Sequence, residues 1–417
     1  MEFDCCLKDF LASFGWLLHN FWMEYRRFGK TNEKISVITL GGMRFKHGWN
    51  PPRNHLPAES IKNCIEITKK AFDVGINHIE TAYGYMKSEN LYGISLKELG
   101  VPRDQFKMMT KGAPMTGDET RALVEEQLTS LKLDFIDFYG WHGINNEERL
   151  LAAIKPGGPV EVLHRMKEED LVRHIGFSTH APLDIILRAL NTDLFSFVNL
   201  HYYYFFQRNL AAVQLAGKKD IGVFIISPNE KGGMLWKPSV IVREDCAPMT
   251  AIQFNGRFCL EHPEITTLSM GIHELEHFPQ NLSILSEEKI YTDKEQKIRR
   301  QMDGRLNEVV ELCTLCNECL PCPEEINIPE VLRFRNLLQA YGMEDYGKFR
   351  YNMFEGEGHW FPGNFASKCT ECGDCLPRCP EKLEIPKLLF DTHNRLFDRG
   401  AWIKSKLLYL MLNICLL

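Results

Sequence analysis

Short apolar runs alternate with amphipathic stretches through the first two thirds of the chain. The runs Ile35–Leu40, Ile76–Ile79, Phe106–Thr110, Phe135–Trp141, Val172–Phe177, Ser196–His201, Gly222–Ile226 and Ile265–Ser269 predict buried strands. Between them the apolar positions fall at helical spacing. Ile61, Ile65, Thr68 and Phe72 share one face of a helix predicted over Ser60–Val74. Further helices are predicted over Ser88–Leu99, Glu119–Leu131, Leu183–Leu190, Leu210–Ala216 and Thr250–Cys259, with another helical region before Asp170. Ser88 is expected to cap its helix. This series of strand–helix units, about eight over about 250 residues, has the size of an α/β fold of the (β/α)8 TIM-barrel type. An open doubly wound sheet is the alternative, but no Gly-x-Gly-x-x-Gly turn follows the first strand.

The pattern changes after Ser283. Glu287–Glu311 is highly charged and predicts a helical linker, so a boundary is expected near residue 286. The 417 residues then divide into an N-terminal extension (1–22), a barrel (23–285), a linker helix with a smaller domain (286–400) and an apolar tail (401–417). The acidic N-terminus lacks the basic region of a signal peptide. The tail is too short for a transmembrane segment and reads as a docking helix, with association at a membrane surface as the alternative. A hydrophobic content of 44% suffices for a large core, and a net charge of −6 with no basic block argues against nucleic acid as a partner. Eight of the 14 cysteines fall in two tight clusters after residue 312, which points to metal binding in a reducing, cytoplasmic compartment.

Candidate chemistry gathers at the predicted C-terminal ends of the strands, where a barrel places its active site. Glu80 and Tyr85 follow the second strand, Lys111 the third and His142 the fourth. This set suits carbonyl reduction. A tyrosine hydroxyl donates a proton to the carbonyl oxygen as hydride reaches carbon. A nearby lysine stabilises the phenolate, a carboxylate holds the lysine, and a histidine orients the carbonyl. Taken singly, each residue is as well explained by packing or by a solvated rim. Their succession at consecutive strand ends carries the functional reading.

These residues resemble the aldo-keto reductase family. Gly75, Asn77, Thr81, Ala82 and Tyr85 match a family motif, and Lys111 and His142 match the rest of its tetrad. Glu80 stands where the family has aspartate, and Met86 where it usually has glycine. The resemblance implies a nicotinamide nucleotide, NADP(H) or NAD(H). It implies that Ser178 and Asn199 hold the carboxamide, with Thr179 in place of the usual asparagine. It further implies that Ser227, Pro228, Gly232, Gly233 and Leu235 belong to a loop over the pyrophosphate, and that Gly271 and Asn281 hold the adenosine half. His277 lies where an arginine is common, which leaves the choice of nucleotide open.

The cysteine runs are the most specific signal. Cys313, Cys316, Cys319 and Cys322 are followed by proline, as are Cys369, Cys372, Cys375 and Cys379. The second run has the spacing of ferredoxin [4Fe–4S] sites, and the first is one residue shorter in its last gap. Zinc is the alternative for paired Cys-x2-Cys. In two-cluster ferredoxins the fourth cysteine crosses over, which predicts Cys313, Cys316, Cys319 and Cys379 on one cluster and Cys369, Cys372, Cys375 and Cys322 on the other. Ile328–Tyr351 between the runs reads as helical, so a small, mainly helical ferredoxin-like domain is expected. With Gly41–Phe45, the whole resembles aldo-keto reductases that carry a C-terminal two-cluster domain. The expected function is an NAD(P)H-dependent oxidoreductase of carbonyls or alcohols, coupled to electron transfer with a flavoprotein or other partner. A nucleotide-binding redox sensor with little turnover is the alternative.

Overall fold

Eight parallel strands close into a barrel in the computed structural model, which describes residues 23–285 and 292–414. In chain order they are β1 (Ile38–Gly41), β2 (His78–Glu80), β3 (Lys107–Gly112), β4 (Ile136–His142), β5 (Val172–Ser178), β6 (Phe197–Leu200), β7 (Gly222–Ile225) and β8 (Ile265–Met270). Each pairs with its neighbour in sequence, and β8 closes the ring against β1 through Leu268–Ile38 to Met270–Leu40. Every residue of β1, β2, β6, β7 and β8 is buried. That is why these strands read as continuous apolar runs rather than alternating ones.

The expected strand over Ile35–Leu40 is two elements. Lys34–Ser36 pairs antiparallel with Tyr25–Arg27, and only Ile38–Gly41 joins the barrel. This hairpin seals the N-terminal end. Phe28, in its turn, enters the barrel and meets Phe138 edge-on at 5.1 Å and Phe197 at 5.5 Å. Helices occupy Ser88–Leu99 and Leu183–Leu190 as expected. Ser88 is not the cap of its helix. Lys87 holds that position without a side-chain bond, and the Ser88 hydroxyl instead accepts from Thr81 at 2.8 Å. Thr116 does cap its helix over Gly117–Leu131, through a capping box with Glu119.

The expected extension over 1–22 and the expected boundary at 286 lie outside the described residues. The charged stretch beyond forms the helix Asp293–Asn307, which lies on the barrel. Arg305 and Gln301 reach Asp245 at 2.5 and 2.7 Å, and Arg257 pairs with Glu295. The region between the cysteine runs is helical over Ile328–Tyr341 and Glu344–Tyr351, and Ile385–Leu396 and Arg399–Ile414 follow. Among the described residues no helix is long and apolar enough to cross a membrane.

Candidate active site

The two-residue period of a strand decides which side chains meet inside the barrel. His78, Met109, Phe138 and Phe197 form a buried layer beside Phe224 and Phe28. Two residues further along the same strands stand Glu80, Lys111, Gly140 and Asn199, which form the next layer towards the C-terminal ends. His142 is one period beyond Gly140, at the mouth. Gly140 has a steric reason: a Cβ there would come within 3.0 Å of the Lys111 stem.

Tyr85, Lys111, His142 and Glu80 are thereby brought together. The buried Lys111 ammonium donates to Glu80 and to the Thr81 carbonyl at 2.7 Å, and lies 5.0 Å from the centre of the Tyr85 ring. The Tyr85 and His142 rings stand 5.9 Å apart, edge to face. Glu80 is one methylene longer than aspartate, and the site is shaped for it. Ser269 donates to its second oxygen at 3.1 Å, and a Cβ on Gly41 would fall 3.4 Å from that same atom. Met86 holds φ 51°, the left-handed region that favours glycine, so the loop carrying Tyr85 is strained at that residue. Burial, then the Glu80 carboxylate, push the Tyr85 phenol well above its ordinary value, and the Arg44 guanidinium pulls it down. The lysine expected to lower the phenol is committed to Glu80 and Thr81, so Arg44 supplies the offsetting charge. Burial holds the His142 imidazole neutral, with Lys111 and other cations adding to the effect.

A second buried network steadies this loop and carries no local sequence signal. Glu89, at the start of the following helix, accepts from Thr110 and Gln127 at 2.6 Å each and from Arg53 at 2.5 Å. Arg53 also lies 3.7 Å over the Tyr83 ring.

The groups expected to hold a nucleotide line the same mouth. Ser178 and Asn199 are register partners on β5 and β6. The Asn199 side-chain oxygen is buried with no hydrogen-bond partner among the described residues, while its amide nitrogen reaches the Met109 sulfur at 3.2 Å. An orphaned acceptor beside a buried hydroxyl fits a carboxamide, whose NH2 would satisfy it. Thr179 does not face the mouth, because its hydroxyl donates to the Ile144 carbonyl at 2.6 Å. The loop after β7 folds tightly through Ser227, Pro228, Gly232, Gly233 and Leu235. A Cβ on Gly232 would overlap the Pro228 carbonyl at 2.0 Å, and Gly233 holds φ 133°. Leu235 donates its N–H to Asn229 at 2.7 Å, and Asn229 donates to Asn281 at 2.8 Å, which joins this loop to the final segment. Arg44 packs its stem on Gly271 and pairs with Glu230.

The second domain roofs this mouth, which nothing in the sequence announced. Trp360 packs edge-on against His142 at 5.0 Å and His180 at 5.2 Å. Gly143, at φ 91°, leaves room for that indole, since a Cβ there would fall 2.8 Å from it. His359 bonds Asn145 at 2.8 Å, and Asn145 accepts from the His180 N–H at 2.8 Å. His180 in turn bonds His201 at 3.0 Å.

The eight clustered cysteines border two adjoining cavities. Cys313, Cys316, Cys319 and Cys379 line one, with Pro329 and Leu332. Cys322, Cys369, Cys372 and Cys375 line the other, which Cys319 also touches. The fourth cysteine of each run thus sits with the opposite run. Among the described residues no three His, Cys, Asp or Glu side chains close on a point that a single metal ion would fill. Cavities ringed by four sulfurs fit a multi-iron cluster better than zinc.

Comparison with known proteins agrees with this division. Residues 37–239 match the model of the aldo/keto reductase family, and residues 312–383 match a 4Fe-4S dicluster domain. The chain is 25% identical to L-galactose dehydrogenase of Arabidopsis thaliana, over 66% of this chain and 92% of that protein. It is 23% identical to the uncharacterized oxidoreductase YqkF of Bacillus subtilis, over 61% and 78% respectively. Its fold is similar to that of aldo-keto reductase AKR11C1 from Bacillus halodurans, with a TM-score of 0.56 at 18% identity over 67% of this chain and 96% of that one.

Proposed function

With the chain identified as an aldo/keto reductase that carries a 4Fe-4S dicluster domain, we propose that it is an NAD(P)H-dependent enzyme interconverting a small carbonyl and its alcohol. The observation that carries this reading is the buried Glu80–Lys111 pair set against Tyr85 and His142. Bound to this chain, a nicotinamide nucleotide supplies hydride, and [4Fe–4S] clusters in the cysteine cavities supply single-electron transfer. Tyr85 is the proton donor. Its phenol is held protonated by burial, and that is the form that donates. As hydride reaches the carbonyl carbon, the Tyr85 proton passes to the oxygen, and Arg44, with Lys111 beside the ring, stabilises the phenolate left behind. Glu80 anchors Lys111. The neutral His142 orients the carbonyl oxygen. Ser178 and Asn199 hold the carboxamide. Ser227, Pro228, Gly232, Gly233 and Leu235 close over the pyrophosphate, and Gly271 and Asn281 hold the adenosine half.

Cys313, Cys316, Cys319 and Cys379 would ligate one cluster, and Cys369, Cys372, Cys375 and Cys322 the other. Passing a two-electron step to one-electron centres calls for a substrate or partner flavoprotein that splits the pair. Eight thiols kept for iron suit a reducing compartment such as the cytoplasm. The test is anaerobic assay of the iron-loaded protein with NADPH or NADH and a panel of aldehydes. Multiple turnovers are expected. Tight nucleotide binding without turnover would overturn the enzyme reading in favour of a sensor.

A further inference from the structure

Two cations near the roofed mouth make no salt bridge among the described residues and share one nearby carboxylate, Glu357. Arg350, on the helix Glu344–Tyr351, is 8% exposed, and its Nε has no hydrogen-bond partner among the described residues. One Nη reaches only the Met353 sulfur at 3.1 Å, and the guanidinium lies 4.4 Å over the Phe361 ring, next to Trp360. Two carboxylates act on it from beyond hydrogen-bond reach, Glu330 and Glu357. Glu330 is taken up by Arg333 at 2.7 Å and Arg208 at 3.3 Å, and Glu357 accepts from Ser405 at 2.8 Å. Lys231 stands opposite, in the loop after β7. The Tyr346 hydroxyl pins its backbone carbonyl at 2.6 Å, but its ammonium makes no ion pair among the described residues. Arg350 is buried and Lys231 half-buried, and cations drawn out of water are ordinarily paired, because isolating a charge from water is costly. Burial, then repulsion from Arg350 and Arg44, push the Lys231 amine down to about 7, while the Glu357 carboxylate pulls it up. The same amine acts electrostatically on His142, His180 and His201, the imidazoles of the mouth.

We propose that Lys231 and Arg350 form a receptor for an anionic group on the substrate, a carboxylate carried by the same molecule whose carbonyl meets Tyr85 and His142. This names the substrate class of the proposed reductase site and rests on that reading. A carboxylate placed between the two cations, with Glu357 as the second negative charge, balances both and leaves the reacting carbonyl beneath Trp360. A nucleotide phosphate is the other source of such a charge, because Lys231 shares its loop with Gly232 and Gly233. Arg350 favours the substrate: it comes from the second domain, and its guanidinium lies over Phe361, next to the Trp360 that covers His142.

Binding separates the sources without needing turnover. The iron-loaded protein is titrated anaerobically by calorimetry with 4-(hydroxymethyl)benzoate and its amide, and with 4-hydroxybutyrate and its amide, each at saturating nucleotide. In at least one pair the carboxylate is expected to bind tenfold or more tightly than the amide. Lys231→Met and Arg350→Met are expected to cut that preference below about threefold, and Arg350→Lys to restore part of it. Iron content and circular dichroism check that each variant is folded. No preference in either pair, or full preference in both Met variants, overturns the proposal. So does a tenfold loss of nucleotide affinity in the Met variants with the carboxylate preference intact, which would assign the charge to the phosphate. Carboxylate preference without any aldehyde turnover would count against the reductase reading alone.

Discussion

At the barrel mouth, Glu80, Lys111, His142 and Ser178 come from four strands spread over about a hundred residues of sequence. In the second domain, Cys313, Cys316 and Cys319 come from one stretch seven residues long. The first group is held by a closed hydrogen-bonded ring, and Glu80, Lys111 and Ser178 each have a buried hydrogen-bond partner before any ligand arrives. The second sits on irregular backbone, with left-handed residues at Leu315, Asn317 and Glu371, and Cys316 and Cys372 are exposed. Preorganisation by scaffold and organisation by ligand are therefore found side by side, and Trp360 joins them.

The strongest way to break this comparison is at Tyr85. Tyr85→Phe is expected to lower carbonyl reduction by about 10²-fold or more, the scale of a lost general acid, with nucleotide affinity kept. Near-normal turnover would remove the proton-donor role.

Acid probes the barrel from within. Burial, aided by the Lys111 charge, pushes the His78 imidazole down to about 3. The unfolded chain takes up that proton near pH 6.5 and the folded chain does not, so stability is lost as pH falls below 6.5. The loss at pH 5 relative to pH 7 is about 2 kcal/mol for this one residue. Urea unfolding at both values should show a loss smaller by that amount in His78→Met. Equal losses would show that His78 is protonated in the fold.

The Glu80–Lys111 pair is tested next. Glu80→Gln is expected to lower turnover about tenfold, because Lys111 loses its buried counter-charge, while Glu80→Asp stays within about threefold. Equal rates for wild type and Glu80→Gln would mean that the carboxylate does not hold the lysine.

The smallest effect sharpens the cysteine side. With crossed ligation, the double variant Cys313→Ser/Cys379→Ser removes ligands from one cluster only, and iron falls from about eight to about four per chain. Iron near zero would show that each run serves its own cluster.

Much of the barrel was legible because strands buried on both faces are unbroken apolar runs. The cysteine spacing was legible because the ligands are close in sequence. The hairpin was not, since Tyr25–Arg27 is short and mostly polar and pairs with Lys34–Ser36 only because Phe28 has a barrel to enter. Glu80, Tyr85, Lys111 and His142 could be named from their places at strand ends, but not their partners. Ser269 lies 189 residues from Glu80, and His359 lies 214 from Asn145. No local pattern encodes contacts of that range, and Lys231 and Arg350 were missed for the same reason.

The helix Asp293–Asn307 has a consequence for inheritance. Sequence divides the chain at residue 286 as if a cassette had been appended. Yet Arg257, buried in the barrel, finds Glu295 on the far side of that division. Deleting one side of such a buried pair typically costs about 3–5 kcal/mol. A gene shortened at the boundary would lose more than its iron: the remaining barrel would have to evolve a new wall before it could live alone.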